Sequence, residues 1–290
     1  MTAVLSNSVF RPVDPAAVGG AFLPPLADVV GADERVSLLD GSSVLDAKFD
    51  YAASAPALRA VADGLLAALP QYASVHRGAG ALSQITTHRY EQARETIRRF
   101  VRARADDHVV FTRNTTDSIN LLAHCLGERG GDVVVLDIEH HANLLPWQRL
   151  PGTRLVTACA TIEETLAALE DELAATPAAL LALTAASNVS GEVLPVTRLA
   201  SIAHRHGARI LIDGAQLVAH QPVSVVSHGI DYLVFSGHKL YAPFGSGVLV
   251  GRGDWLDEAS PYLAGGGASA EVASGGRAQW HTGPARHEAG

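Results

Sequence analysis

Only two cysteines and one methionine occur in the 290 residues, and aromatic side chains make up 6% of them. Cys125 and Cys159 lie far apart in apolar segments. That excludes a zinc-type ligand spacing and a disulfide framework. Each cysteine reads as a small structural hydrophobe, and the chain as one from a reduced, cytoplasmic setting. No run of 18 or more apolar residues appears, so no spanning helix is expected. No basic stretch followed by an apolar core opens the sequence, so no secretory signal is expected. Positive charge is scarce: 22 Lys and Arg stand against 30 Asp and Glu, a net charge of −8. A general nucleic-acid binder needs basic clusters and is excluded. No Walker loop and no G-x-G-x-x-G follows a strand, which disfavours the nucleotide folds built on them.

What is present is a chain that is 48% hydrophobic and 18% charged, enough for a sizeable core in one large or two ordinary domains. Residues 1–45 read as an extended arm with short helical pieces. Phe49 to Pro56 reads as a short strand entering a turn, with Pro56 at the first helical position of a helix over 57–69. Residues 72–86 read as a glycine-bearing polar loop. A helix is expected from about His88 to Arg104, with Tyr90, Ala93, Ile97, Phe100 and Val101 inward and its arginines solvated. Strands then alternate with helices: strands at 108–112, 132–138, 153–157, 179–184 and 209–213, helices at 115–126, 143–149, 161–174 and 197–206. Two further apolar runs, Tyr232 to Phe235 and Val248 to Val250, flank a polar turn. Gly265 to Ala270 reads as a flexible loop, and Glu271 to Gly290 shows no period. Near-continuously apolar strands predict an α/β fold: three layers, α/β/α, around a mostly parallel, mixed central sheet.

Ligands of open α/β sheets bind at the carboxyl ends of the strands, and polar residues collect there. After 108–112, Thr115 and Thr116 open a helix, either as an ordinary N-cap region or as an anion seat. After 132–138 come Glu139, His140 and His141. The imidazoles read as metal ligands or as a ring that stacks on a flat cofactor. Asn188 opens a polar turn after 179–184. Asp213 closes an apolar strand, either as a plain turn aspartate or as a carboxylate awaiting a cation, with Gln216 just beyond. Ser236-Gly-His-Lys239 ends the last apolar run. Lys239 reads as a strand-end lysine that snorkels to solvent, or as a desolvated, neutral amine able to attack a carbonyl. Together these strand ends offer an anion seat, a stacking ring, an amide, a carboxylate for a cationic nitrogen and an imine-forming lysine. Pyridoxal 5′-phosphate needs that set.

Six motifs then carry a resemblance: Tyr72-Ala-Ser-Val-His-Arg-Gly78, Thr112-Arg-Asn-Thr-Thr-Asp-Ser-Ile-Asn120, Glu139-His-His-Ala-Asn-Leu-Leu-Pro-Trp147, Ser187-Asn-Val-Ser-Gly-Glu-Val-Leu-Pro195, Asp213-Gly-Ala-Gln216 and Ser236-Gly-His-Lys-Leu-Tyr241. Over about residues 45–290 the chain resembles the class V aminotransferase family of fold-type I pyridoxal-phosphate enzymes, most of all its SufS/CsdA-type cysteine desulfurases. The resemblance implies a pyridoxal-phosphate-binding large domain over 46–290. It implies that Lys239 forms the Schiff base and shuttles protons, and that His140 stacks on the ring. Asp213 would pair with the pyridine nitrogen. Gln216 would bond the phenolic oxygen, with Asn188 nearby, and Thr115, Thr116, Ser236 and His238 would hold the phosphate. It further implies an amino-acid substrate, a homodimer, a sulfur-acceptor protein as partner, and conversion of L-cysteine to L-alanine plus a persulfide.

The family's smaller C-terminal domain supplies a substrate arginine and, in desulfurases, a persulfide cysteine. Here Arg286-His-Glu-Ala-Gly290 resembles the start of an Arg-x-Glu-x-Gly-Thr-Pro motif cut midway, so the large domain is expected to be incomplete and the small domain absent. Other readings stay open: another lyase, epimerase or aminotransferase on this scaffold, a non-catalytic cofactor-binding or dimer-partner protein, or a metal hydrolase built on His140, His141 and Asp213.

Overall fold

A strand whose residues are all apolar must be covered on both faces, because successive side chains point to opposite sides. The structure, a computed structural model that describes residues 27–290, meets that demand with one seven-stranded sheet. The part of the expected arm over 1–26 lies outside the described residues. In chain order, a hairpin of β1 (Arg35–Ser37) and β2 (Ser43–Leu45) precedes helices α1 (Arg59–Ala68) and α2 (Ala81–Phe100). Next come β3 (His108–Thr112), α3 (Thr115–Arg129), β4 (Val133–Leu136), α4 (His141–Leu144), β5 (Thr153–Val156), α5 (Ile162–Ala175), β6 (Leu180–Thr184), α6 (Val196–Arg205) and β7 (Arg209–Asp213). Two short helices, α7 (Leu217–His220) and α8 (Val225–His228), lead to β8 (Tyr232–Ser236), β9 (Gly247–Gly251) and α9 (Gly253–Glu258). A second hairpin, β10 (Ser269–Val272) and β11 (Ala278–Trp280), follows.

The sheet order is β3-β9-β8-β7-β6-β4-β5. Strands β5, β4, β6, β7 and β8 run parallel, and β9 is antiparallel to both of its neighbours. The sheet is thus mixed and mostly parallel. Alternation sorts its residues into two cores. Val133, Val135, Leu180, Ala182, Leu211, Val234 and Leu249 pack with Ile119 and Leu122 of α3, with Trp147, and with Trp255 of α9. Their neighbours Val134, Leu136, Leu181, Leu183, Ile210, Ile212 and Leu233 pack on the other face with Leu166 and Leu169 of α5 and Leu199 and Ile202 of α6. These are the three layers the sequence predicts.

Two details of register position the site. Gly247 of β9 is level with Thr112 of β3 on one side and Ser236 of β8 on the other. A Cβ on Gly247 would lie 2.5 Å from backbone atoms of Asn114, so glycine alone lets the β3–α3 turn cross here. Second, β4 and β6 pair only at Val133–Leu180 and Val134–Leu181, and their carboxyl ends then separate.

Several expectations are corrected. Residues 35–45 form a hairpin where helical pieces are expected. Residues 49–56 hold a turn and no strand, and α1 starts after Leu58, so Pro56 is outside it. Helix α2 begins at Ala81, seven residues before His88, and ends at Phe100. Its polar first turns are fastened to the preceding loop: Ser83 Oγ donates to Ser74 O (2.7 Å), Thr86 Oγ1 donates to Gln71 O (2.9 Å), and Thr87 Oγ1 accepts from His76 N (2.9 Å). Ala93 and Phe100 are exposed, while Arg94, expected in solvent, is buried. Its guanidinium donates to both carboxylate oxygens of Glu288 at 2.9 Å. Phe111 N (2.7 Å) and Tyr90 Oη (3.0 Å) donate to the same carboxylate. The segment after Glu271 therefore has structure: the β10–β11 hairpin, a 3₁₀ turn at Pro284–Arg286, and Glu288 bound to α2 and β3. Among the described residues, no helix is long and apolar enough to cross a membrane.

Candidate active site

The carboxyl ends of β4, β6, β7 and β8 and the start of α3 enclose a cavity of about 280 Å³. Thr115, Thr116, His140, Asn188, Asp213, Gln216, Ser236, His238 and Lys239 all line it. Residues spread over 125 positions of sequence thus meet at one place, because parallel strands deliver their following turns to one sheet edge.

Lys239 ends a 3₁₀ turn, Gly237–Lys239, between β8 and β9. Gly237 N donates to Ser246 O (2.8 Å), and Ala55 N donates to His238 O (3.0 Å). Tyr241 (φ 60°) and Phe244 (φ 66°) reverse the chain in the left-handed region, which is uncommon for residues with side chains. Burial lowers the pKa of the Lys239 ammonium, and the Asp213 carboxylate opposes that shift. The amine therefore loses its proton more readily than a surface lysine does. Burial likewise lowers His238, with the Lys239 charge adding to the effect. The His238 ring nitrogen Nδ1 lies 3.2 Å from Ser54 Oγ.

Asp213 ends β7 in full burial, and desolvation raises its pKa against the positive influence of His140 and Lys239. Its hydrogen-bond donor is Ala215 N (2.9 Å). Gln216 Nε2 donates to Ala52 O (2.8 Å), which leaves one amide proton free. At the other end, Thr115 N and Thr115 Oγ1 lie 2.7 and 2.6 Å from Ser236 Oγ, joining the first turn of α3 to β8 above Gly247. Asn114 caps α3 by accepting from Asp117 N (2.9 Å). His140 caps α4 through Nδ1, which accepts from Ala142 N (3.1 Å), and is exposed to the cavity.

Beyond His140, Thr184 and Asn188 a second hollow of about 650 Å³ opens between the separated ends of β4 and β6. His141 and Glu139 line this hollow and not the first cavity, so His140, His141 and Asp213 do not converge. No three His, Cys, Asp or Glu side chains gather as a metal site among the described residues. Glu139, which heads one of the sequence motifs, is given no role by the sequence alone. It is buried, and desolvation raises its carboxyl to about 7. Its Oε2 accepts from Thr184 N (2.7 Å) and Asn143 Nδ2 (2.8 Å), and Asn143 Oδ1 accepts from Trp147 Nε1 (3.0 Å). An acid closing an apolar strand is the signal that singles out Asp213, and Glu139 carries it too. The Thr184 hydroxyl, on the wall common to both hollows, is buried without a partner among the described residues. Neither cysteine lines the cavity. Cys125 is a buried hydrophobe whose thiol is pushed up to about 12 by desolvation. Cys159 is exposed, which corrects the structural role expected for it.

The family model described as Aminotransferase class-V matches residues 48–290. A cysteine desulfurase of Klebsiella pneumoniae (strain 342) is 41% identical over 232 residues, covering 76% of this chain and 56% of that protein. The apo cysteine desulfurase of Thermococcus onnurineus NA1 superposes with a TM-score of 0.76 at 37% identity, over 83% of this chain and 62% of that one. The cysteine desulfurase CsdA of Escherichia coli, in an S-sulfonic acid form, gives a TM-score of 0.71 at 37% identity over the same shares. The chain spans little more than half the length of the curated Klebsiella and Escherichia relatives it matches.

Proposed function

The chain belongs to the class-V aminotransferase family, and from that premise we propose that it binds pyridoxal 5′-phosphate in the 280 Å³ cavity and acts on an amino acid, with L-cysteine as substrate. The observation that carries this reading is the meeting of all nine candidate residues in that one cavity. The donor set fits the group. Asp213 is a buried carboxylate with no ion pair among the described residues, its hydrogen-bond donor being Ala215 N, so a protonated ring nitrogen would meet an unfilled need. Thr184 offers a hydroxyl without a partner on the same wall. The α3 amino end, with the Thr116 hydroxyl, supplies donors and positive potential for a phosphate.

Bound there, pyridoxal phosphate supplies an aldehyde that condenses with amines and a ring that withdraws electrons from an amino acid's α-carbon. The chain's own residues do the rest. Lys239 presents a desolvated amine at Nζ that gives up its proton more readily than a surface lysine, and the neutral amine is the state required of a nucleophile and proton carrier. Asp213 would hold the proton on the ring nitrogen. His140, fixed at Nδ1 by Ala142 N, would lie against the ring. Gln216 and Asn188 would bond the ring oxygen, and Thr115, Thr116, Ser236 and His238 would anchor the phosphate.

A homodimer fits the surface. No residue of α1 is buried, and Leu66, Leu69 and Tyr72 expose an apolar stripe. A sulfur-acceptor protein as partner follows from the desulfurase reading alone.

Visible absorbance before and after borohydride, with Lys239→Ala alongside, tests the central claim. The expected result is a band in the wild type that borohydride abolishes and the variant lacks. A wild type that stays colourless with the cofactor would sink the reading, and an unchanged band in Lys239→Ala would sink the lysine assignment. Alanine and sulfide or persulfide released from L-cysteine test the substrate; a different product from another amino acid would replace it.

A further inference from the structure

The separation of β4 from β6 leaves a defect in the sheet beside the cavity. Pairing stops at Val134–Leu181, so the amide of Thr184, at the end of β6, has no ladder partner on β4. On its other side, β6 remains paired with β7 down to Thr184–Asp213. A buried N–H without an acceptor costs about 1–3 kcal/mol. Here a side chain takes the place of the missing carbonyl. Glu139, just beyond β4, accepts from Thr184 N with Oε2, and the same oxygen accepts from Asn143 of α4. One carboxyl group therefore ties together the turn that carries His140, the strand end that carries Thr184, and the short helix whose Asn143 is pinned by Trp147.

We propose that Glu139 is a positioning residue, a side-chain rung that closes the split between β4 and β6 and so sets His140, Thr184 and Asn188 at their spacing from Asp213. The rung works with the carboxyl group in either protonation state, since Oε2 acts only as an acceptor. Burial favours the protonated state up to about neutral pH, with the Asp213 charge pushing the same way. Oε1 is then the oxygen left to carry the proton, because Oε2 accepts both hydrogen bonds. Glu139 itself does not line the 280 Å³ cavity. Its effect must pass through the groups it holds.

Part of the inference rests on the proposed cofactor, so the test has two arms on the purified chain. Hydrogen exchange of the Thr184 amide is read without any cofactor. Glu139→Gln keeps an acceptor oxygen and should keep wild-type protection. Glu139→Ala should speed exchange about tenfold or more, the loss expected for one unsatisfied buried amide. Glu139→Asp, which keeps the acid but shortens its reach, should also lose protection, and it serves if the alanine variant does not fold. In the second arm, the visible circular dichroism of bound pyridoxal phosphate reads how the walls orient it. The signal should be wild-type in Glu139→Gln and reduced in Glu139→Ala and Glu139→Asp. Unchanged Thr184 exchange in the alanine and aspartate variants overturns the proposal. So does a glutamine variant that loses as much protection as the alanine one. A wild type that binds no pyridoxal phosphate refutes the proposed function alone, and the exchange arm still decides the role of Glu139.

Discussion

The Arg94–Glu288 pair joins residues 194 positions apart, and its strength can be worked from its surroundings. Both side chains are about nine-tenths buried, at 10% and 9% exposure. The carboxylate accepts four hydrogen bonds: two from the guanidinium, one from Phe111 N and one from Tyr90 Oη. Removing it by Glu288→Leu leaves a buried cation, an unpaired strand-edge amide and an unpaired phenol. Breaking a buried pair from one side costs about 3–5 kcal/mol. Arg94 keeps Glu91 as a half-exposed partner, which puts the expected loss near 3 kcal/mol. At 2–4 °C for each kcal/mol in a chain of this size, the thermal midpoint should fall by roughly 6–12 °C. Arg94→Met alone should cost a similar amount, because it strands the carboxylate instead. The double variant leaves neither charge behind and should be more stable than the sum of the single losses by at least about 1.5 kcal/mol. Urea unfolding of the four proteins measures this cycle. Additivity within about 0.5 kcal/mol would refute the reasoning, since it would mean that neither charge depends on the other.

Three further outcomes are expected. Glu139 has its folded carboxyl raised from 4.5 to about 7, so the folded state holds the proton more tightly than the unfolded chain. The contribution of Glu139 to stability should therefore fall by about 3 kcal/mol as pH rises from 4.5 to 7, then level off; Glu139→Gln should remove that part of the slope in thermal melts, and an unaltered slope would contradict the assignment. Asp213 is raised in the same direction by burial, so Asp213→Asn should raise the melting temperature of the cofactor-free chain at pH 8 while weakening its hold on pyridoxal phosphate, and a variant that melts lower at that pH would count against a desolvated carboxylate. Thiol titration should find one reactive group, Cys159, in the folded chain and two after denaturation; two at once in the native state would contradict the burial of Cys125.

Much of the sheet is legible in the sequence because its strands are apolar on both faces. Val133–Leu136, Leu180–Thr184 and Tyr232–Ser236 need no knowledge of their neighbours to be recognised. The cavity residues follow, since each stands just past such a run or opens the helix after it. Helix α2 resists the same reading. Ser83, Thr86 and Thr87 look like loop residues, and they turn inward to bind a loop that no periodicity describes. Arg94 looks solvated because its counter-charge is contributed from near the other end of the chain. Glu139 escapes notice for a different reason: its chief partner is a backbone amide, left free only because two strands part. Side-chain identity carries no trace of where a ladder stops.

The row that runs from Thr112 through Gly247 to Ser236 has a consequence for how this region tolerates change. One strand, β9, acts as a common ruler. On one side it sets the height of the turn leading to Thr115, and on the other the height of the turn leading to Lys239. A one-residue deletion inside β9 would slip both pairings together and send the side chains beyond it to the opposite core. The proposed anion seat and the placement of Lys239 would be lost at a stroke, although neither segment had been touched. The same deletion in the β10–β11 hairpin, which pairs with no strand of the main sheet, would leave that row intact. Insertions accumulated by descendants of this chain should therefore crowd into the outer hairpins and be missing from Gly247 to Gly251.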